Sequence, residues 1–133
     1  MLGWPHVVAQ ISGVVHRLPS AEQETAVIFT DDYSEAGAVD WYGPGDGLAP
    51  RAISGQNTFW LWGYGHPAPG AVVVAVGLPA SFVQRFWGSV EQVGTLGSDG
   101  VTIDPQEEGV PIWVCRRQLQ PWPVIWPAAK HYP

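Results

Sequence analysis

Four carboxylates and one group of aromatic and amide side chains are the residues here whose types and spacing could do chemistry. Asp31, Asp32, Glu35 and Asp40 follow a short apolar run, Ala26-Val27-Ile28-Phe29-Thr30, with Tyr33 among them. Carboxylates in this position have two uses. Asp32 suits a helix N-cap, with Glu35 at the capping-box offset, and acids in a first turn complement the helix dipole. In open α/β sheets, ligands also gather outside the carboxyl ends of strands, so the same stretch is where a site would form. Capping is the commoner explanation for Asp32 and extends to Glu35. A metal site has little support, because no histidine is near in sequence. His6 and His16 lie almost three turns apart on one expected helix, cannot share an ion, and read as surface residues.

Asn57, Thr58, Phe59, Trp60 and Trp62 form the second group. Saccharides pack their C–H faces on aromatic rings and hydrogen-bond their hydroxyls to amides and carboxylates. The chain has eight tryptophans, and they cannot all be buried with their N–H groups paired. Core packing, or packing against another domain or a membrane surface, is the commoner role for such residues. Other signatures fail. Gly43-Pro44-Gly45-Asp46-Gly47 follows a helix rather than a strand and matches neither nucleotide-loop pattern, so it reads as a turn. Ser34 and Ser54 lack a nucleophile-elbow setting. The single cysteine, Cys115, excludes an internal disulfide and reads as a buried, inert thiol.

The elements that must position these residues are legible from periodicity. Trp4 to Leu18 repeats Val7, Val8, Ile11, Val14, Val15 and Leu18 at helical spacing, leaving Gln10, Ser12, His16 and Arg17 for water. Ala26 to Thr30 reads as a buried strand, Tyr33 to Tyr42 as a helix ended by Gly43-Pro44-Gly45, and Ala52-Ile53-Ser54 as a second strand: a βαβ unit. Ala71 to Gly77 is a central strand buried on both faces, followed by a helix, Ser81 to Trp87. Ser89 to Leu96 is a more exposed strand, and Gly97 to Val110 an acidic, turn-rich loop assigned to the periphery. Ile112 to Cys115 returns as an antiparallel strand, and the closing Trp-Pro segment permits one short helix. The expectation is a single small α/β domain with a mixed, mostly parallel sheet of four to five strands flanked by helices. Ala26–Phe29 and Val72–Val76 should be neighbouring parallel strands at its centre.

Composition narrows function. At 133 residues, with twelve acids against six bases, the chain has a formal charge of −6. Nucleic acid is thereby disfavoured as a partner, since phosphate binding needs clustered Lys and Arg. No signal peptide is apparent at the start. The longest apolar run is far short of the roughly twenty residues that span a bilayer, so the chain as given is expected to be soluble.

Two segments, FTDDYSEAGAVDWYGPGDGL and AISGQNTFWLWG, resemble FTxNYGEAGAID and ISGHNSYWLWG in the C-terminal soluble region of bacterial family-39 glycosyltransferases. These are protein O-mannosyltransferase-like membrane enzymes that use polyprenyl-phosphate sugars. Leu2-Gly3-Trp4-Pro5, the strand-like Gly109 to Arg116, and the closing Trp126-Pro127 and His131-Tyr132 also fit, so the resemblance covers nearly the whole chain. Asp32, Ser34 and Gln56 stand where the family has Asn, Gly and His. The resemblance implies a non-catalytic, acceptor-side domain whose parent enzyme transfers the sugar through an acid in its transmembrane part. It also implies an extracytoplasmic location at a bacterial membrane, no cofactor, and the parent's transmembrane portion as partner, with a glycan or protein acceptor. Ligand or partner contact is expected at Asp31, Asp32, Tyr33 and Glu35, with Asn57 and Trp60 alongside. The alternative is a free-standing carbohydrate- or nucleotide-binding domain, or a minor enzyme using Asp31, Asp32 and Glu35.

Overall fold

The computed structural model describes residues 3–31, 33–46, 52–54, 63–98, 100, 103 and 105–130. The first helix, α1 (Trp4–His16), begins with Pro5, whose missing N–H is no loss in a first turn. Its stripe of Val7, Val8, Ile11, Val14 and Val15 is buried as expected, and Leu18 is buried just beyond it. Ser12, expected to face water, is buried too, with its hydroxyl 3.3 Å from His16 Nδ1 one turn away. A four-residue surface helix, α2 (Ser20–Gln23), follows. It has a function in the fold: Gln23 Nε2 donates to the carbonyls of His16 (3.0 Å) and Leu18 (2.8 Å), closing the carboxyl end of α1.

The βαβ unit forms as β1 (Val27–Thr30), α3 (Tyr33–Tyr42), a 3₁₀ turn at Gly43–Asp46, and β2 (Ala52–Ser54). Then come β3 (Val73–Val76), α4 (Ala80–Phe86), β4 (Trp87–Thr95), β5 (Pro111–Gln118) and α5 (Trp122–Ala129). The five strands make one mixed sheet in the order β2-β1-β3-β5-β4. Strand β1 pairs in parallel with both β2 and β3, in the registers Phe29↔Ile53 and Phe29↔Ala75. Strand β5 runs antiparallel to β3 and β4, so it alone opposes the direction of the other four. The expected central pair, β1 beside β3, is present.

The period-two alternation of the strands divides the core into two halves. Ile28, Val74, Val76 and Val114 pack with α1 and α3 on one face. Phe29, Val73, Ala75 and Cys115 pack with α4 and α5 on the other. The domain is therefore three-layered, which explains why β3 is apolar at every position. Burial of each such Val, Ile or Phe stabilises the fold by about 1.5–3 kcal/mol. The second face is rich in rings. Phe29 meets Phe82 edge-on at 6.0 Å and lies 5.7 Å from Trp122 and 5.8 Å from Trp126.

A further sequence-based expectation changes. The loop of residues 97–110 does not stay at the periphery. Ile103 and Glu107 are buried, Leu96 exchanges backbone hydrogen bonds with Gly109 and Val110, and Gly97 N–H donates to Gln10 Oε1 at 2.8 Å. The loop folds back because Leu96, Ile103 and Val110 have an apolar face of α1 and the sheet to cover. The described tryptophans mostly take the core-packing role expected of them. Trp4, Trp87, Trp122 and Trp126 are buried, and Trp113 donates its indole N–H to Leu78 O at 2.9 Å. Among the described residues Trp41 is the exception, 79% exposed. Among the described residues, no helix is long and apolar enough to cross a membrane.

Candidate functional site

The carboxyl ends of β1, β2 and β3 meet at one junction. Asp31 N–H donates to Val76 O at 2.9 Å, carrying the β1–β3 ladder one residue past the strand. Thr30 Oγ1 donates to Ile53 O and Ser54 Oγ to Asp31 O, both at 3.4 Å, so the two buried hydroxyls lace β1 to β2. Gly77 follows β3 directly with φ 80°, and its N–H donates to Pro111 O at 2.8 Å. A Cβ at this position would lie 3.3 Å from Asp31 Cβ, 3.3 Å from Val110 Cγ1 and 3.6 Å from Glu35 Oε1. Position 77 therefore requires glycine for two reasons: the left-handed backbone and the close approach of three elements.

Glu35, in the first turn of α3, is 2% exposed and turns toward this junction. Glu107 is a second buried carboxyl on the folded-back loop, and its carbonyl accepts the N–H of Val110, the residue that reaches Gly77. A carboxylate taken from water is costly unless hydrogen-bonded or paired; Asp31, Glu35 and Glu107 are each engaged by neighbours, although Glu107 Oε2 accepts no hydrogen bond from the described residues. The structure thus brings Asp31 and Glu35 together. It separates Asp40, whose Oδ1 accepts the N–H of Ala52 at 3.2 Å and ties the end of α3 to the start of β2. Tyr33 supplies the first residue of α3. Asp32, Asn57 and Trp60 lie outside the described residues, as does the side chain of Tyr33.

Chemically, the junction offers carboxylate and hydroxyl groups able to accept hydrogen bonds, walled by Val110. Among the described residues, no three His, Cys, Asp or Glu side chains could hold a metal ion. Cys115 is fully buried in β5, and burial pushes its thiol up to about 12, which keeps it in the unreactive protonated form.

Sequence reasoning missed Gly77, Thr30, Ser54, Glu107 and Val110 as parts of this junction. Gly77 carried a signal, since a glycine directly after a buried strand marks a turn or a close backbone approach. Glu107 and Val110 carried none, because their place depends on contacts with residues far away in sequence. Comparison with protein-family models, curated proteins and solved structures finds no match to this chain.

Proposed function

We propose that this domain is a non-catalytic, acceptor-side part of a membrane-bound glycosyltransferase of the polyprenyl-phosphate-sugar type that its sequence resembles. One observation carries the reading. Three segments that resemble that family, separated along the chain, converge on the Gly77 junction. The first supplies Asp31 and Glu35, the second Ser54, and the third, beginning at Gly109, supplies Val110 and the Pro111 carbonyl. Residues with no shared local role are thereby placed at one end of the sheet, where α/β folds receive ligands and partners.

In this reading the acid that performs transfer belongs to the transmembrane portion of the parent enzyme, at the extracytoplasmic face. The present domain helps to shape the acceptor side, where a glycan or protein is presented. The buried carboxyl of Glu35 beside Asp31 favours a second reading, a free-standing binding domain or minor enzyme.

Titration with short glycans and acceptor peptides, read by backbone amide shifts, tests the first reading. Shifts are expected at residues 31–35, 52–60 and 107–111, and shifts confined to residues 121–127 would overturn it. Incubation with polyprenyl-phosphate sugars separates the two readings. No product above a buffer control is expected, whereas turnover lost in Asp31→Ala or Glu35→Ala supports the enzyme.

A further inference from the structure

At the opposite end of the sheet, residues 64–70 lead into β3 and residues 117–123 leave β5. They face each other across an open groove of about 750 Å³, within the roughly 300–1,000 Å³ usual for small-molecule sites. Its inner wall is aromatic: Tyr64 stacks on Trp122, with ring centroids 5.7 Å apart and planes at 17°. Its rim carries Arg117, His66, Gln118 and Gln120. Among the described residues, none lining it is a carboxylate, although acids outnumber bases two to one in the chain.

Arg117 sets the groove apart. The adjacent Arg116 is paired with Glu22 through two hydrogen bonds of 3.1 and 2.8 Å, whereas Arg117 is exposed and has no ion pair among the described residues. Arg117 is also the one described non-glycine residue with a left-handed backbone, φ 60°. Its surroundings hold it there. Gly88 leaves space opposite, where a Cβ would stand 3.3 Å from Arg117 Cβ, and Leu119 N–H pins the following chain to Phe86 O at 2.8 Å. Backbone strain maintained by neighbours at an open cleft is a feature of ligand clamps.

We propose that this groove binds an anionic saccharide, a sugar ring bearing a carboxylate or phosphate. The acid group pairs with the Arg117 guanidinium, whose fork matches such oxygens, and the ring packs against the aromatic wall at Tyr64. Gln118 Nε2 donates to Gln120 O at 2.8 Å, which leaves the Gln118 amide oxygen to accept from a sugar hydroxyl. The inference uses no residue of the Gly77 junction and does not depend on the function proposed for it.

The test is titration of the whole chain with glucuronate, glucose 1-phosphate, glucose, inorganic phosphate and a proline-rich peptide, read by amide shifts and tryptophan fluorescence. The two anionic sugars should shift residues 64–70 and 117–123, with glucose and phosphate each about tenfold weaker or worse. Arg117→Gly should weaken the anionic sugars by a similar factor while its melting midpoint stays level or rises, because glycine accepts the left-handed backbone. Arg117→Gln, which keeps the Cβ and loses the charge, should show the same loss. The proposal is overturned if no probe binds, if glucose matches the anionic sugars, or if phosphate alone matches glucose 1-phosphate. Tighter binding of the peptide, or unchanged binding in both variants, overturns it as well. Shifts at residues 31–35 instead would bear on the Gly77 junction and not on the groove.

Discussion

At the carboxyl ends of β1, β2 and β3, polar groups are packed away: Thr30, Ser54 and Glu35 are buried, and Val110 closes over Gly77. At the amino ends, polar groups stand in the open on an aromatic base, and Arg117 has no carboxylate beside it in the groove among the described residues. Each end holds a left-handed residue pressed against a neighbouring element, Gly77 at φ 80° and, alone among the described non-glycine residues, Arg117 at φ 60°. The contrast shows what decides the residue type at such a position. At the closed end a Cβ would meet two side-chain carbons at 3.3 Å, so a side chain is excluded by space as well as by conformation. At the open end a side chain is tolerated at the cost of backbone strain, and the residue carried there has a charge to present.

Substitutions at the two ends can break or sharpen this contrast. The largest effect is expected from Trp122→Ala. Although it lines the open groove, Trp122 is buried and packs on Phe29, Tyr64 and Trp87. Its loss should destabilise the fold by about 3–5 kcal/mol in urea unfolding. A cost under about 1 kcal/mol would mean that the groove wall is not part of the core. Gly77→Ala should cost about 1–3 kcal/mol, combining a left-handed non-glycine backbone with contacts that must shift. An unchanged midpoint would show that the closed end has slack. Arg117→Gly should run the other way, from neutral to about 1 kcal/mol more stable, since relief of the left-handed strain outweighs the added freedom of the unfolded chain.

The smallest effect concerns the paired neighbour of Arg117. Two hydrogen bonds from Arg116 hold the Glu22 carboxyl below its ordinary value. Its side chain is 27% exposed, so solvent screens the pair, and Glu22→Gln should cost about 0.5–1 kcal/mol at neutral pH. A carboxyl whose folded value is depressed contributes stability above its unfolded value. That contribution is lost as pH falls through the folded one. The difference between wild type and Glu22→Gln should therefore shrink on acidification below the usual carboxylate range. A gap that stays constant down to low pH would remove the ion pair as its cause.

Much of the scaffold was legible in the amino-acid order because its signals are local. The stripe from Val7 to Val15 repeats every three or four residues. The unbroken apolar runs at β1 and β3 require both faces to be covered, which makes them central and parallel. The isolation of Cys115 followed from the apolar run around it. Capping was the simplest sequence account of Glu35, and only the fold placed its carboxyl in the interior against Gly77. The antiparallel direction of β5 was also legible, but only the tertiary structure inserted it between β3 and β4, drew Ile103 and Glu107 inward, and parted Asp40 from Asp31 and Glu35. It alone made a groove from residues 64–70 and 117–123. Periodicity over a few residues encodes which face of an element is apolar. Which elements meet is decided by contacts between distant positions, where the gain from burying surface must offset the entropy of closing the intervening chain.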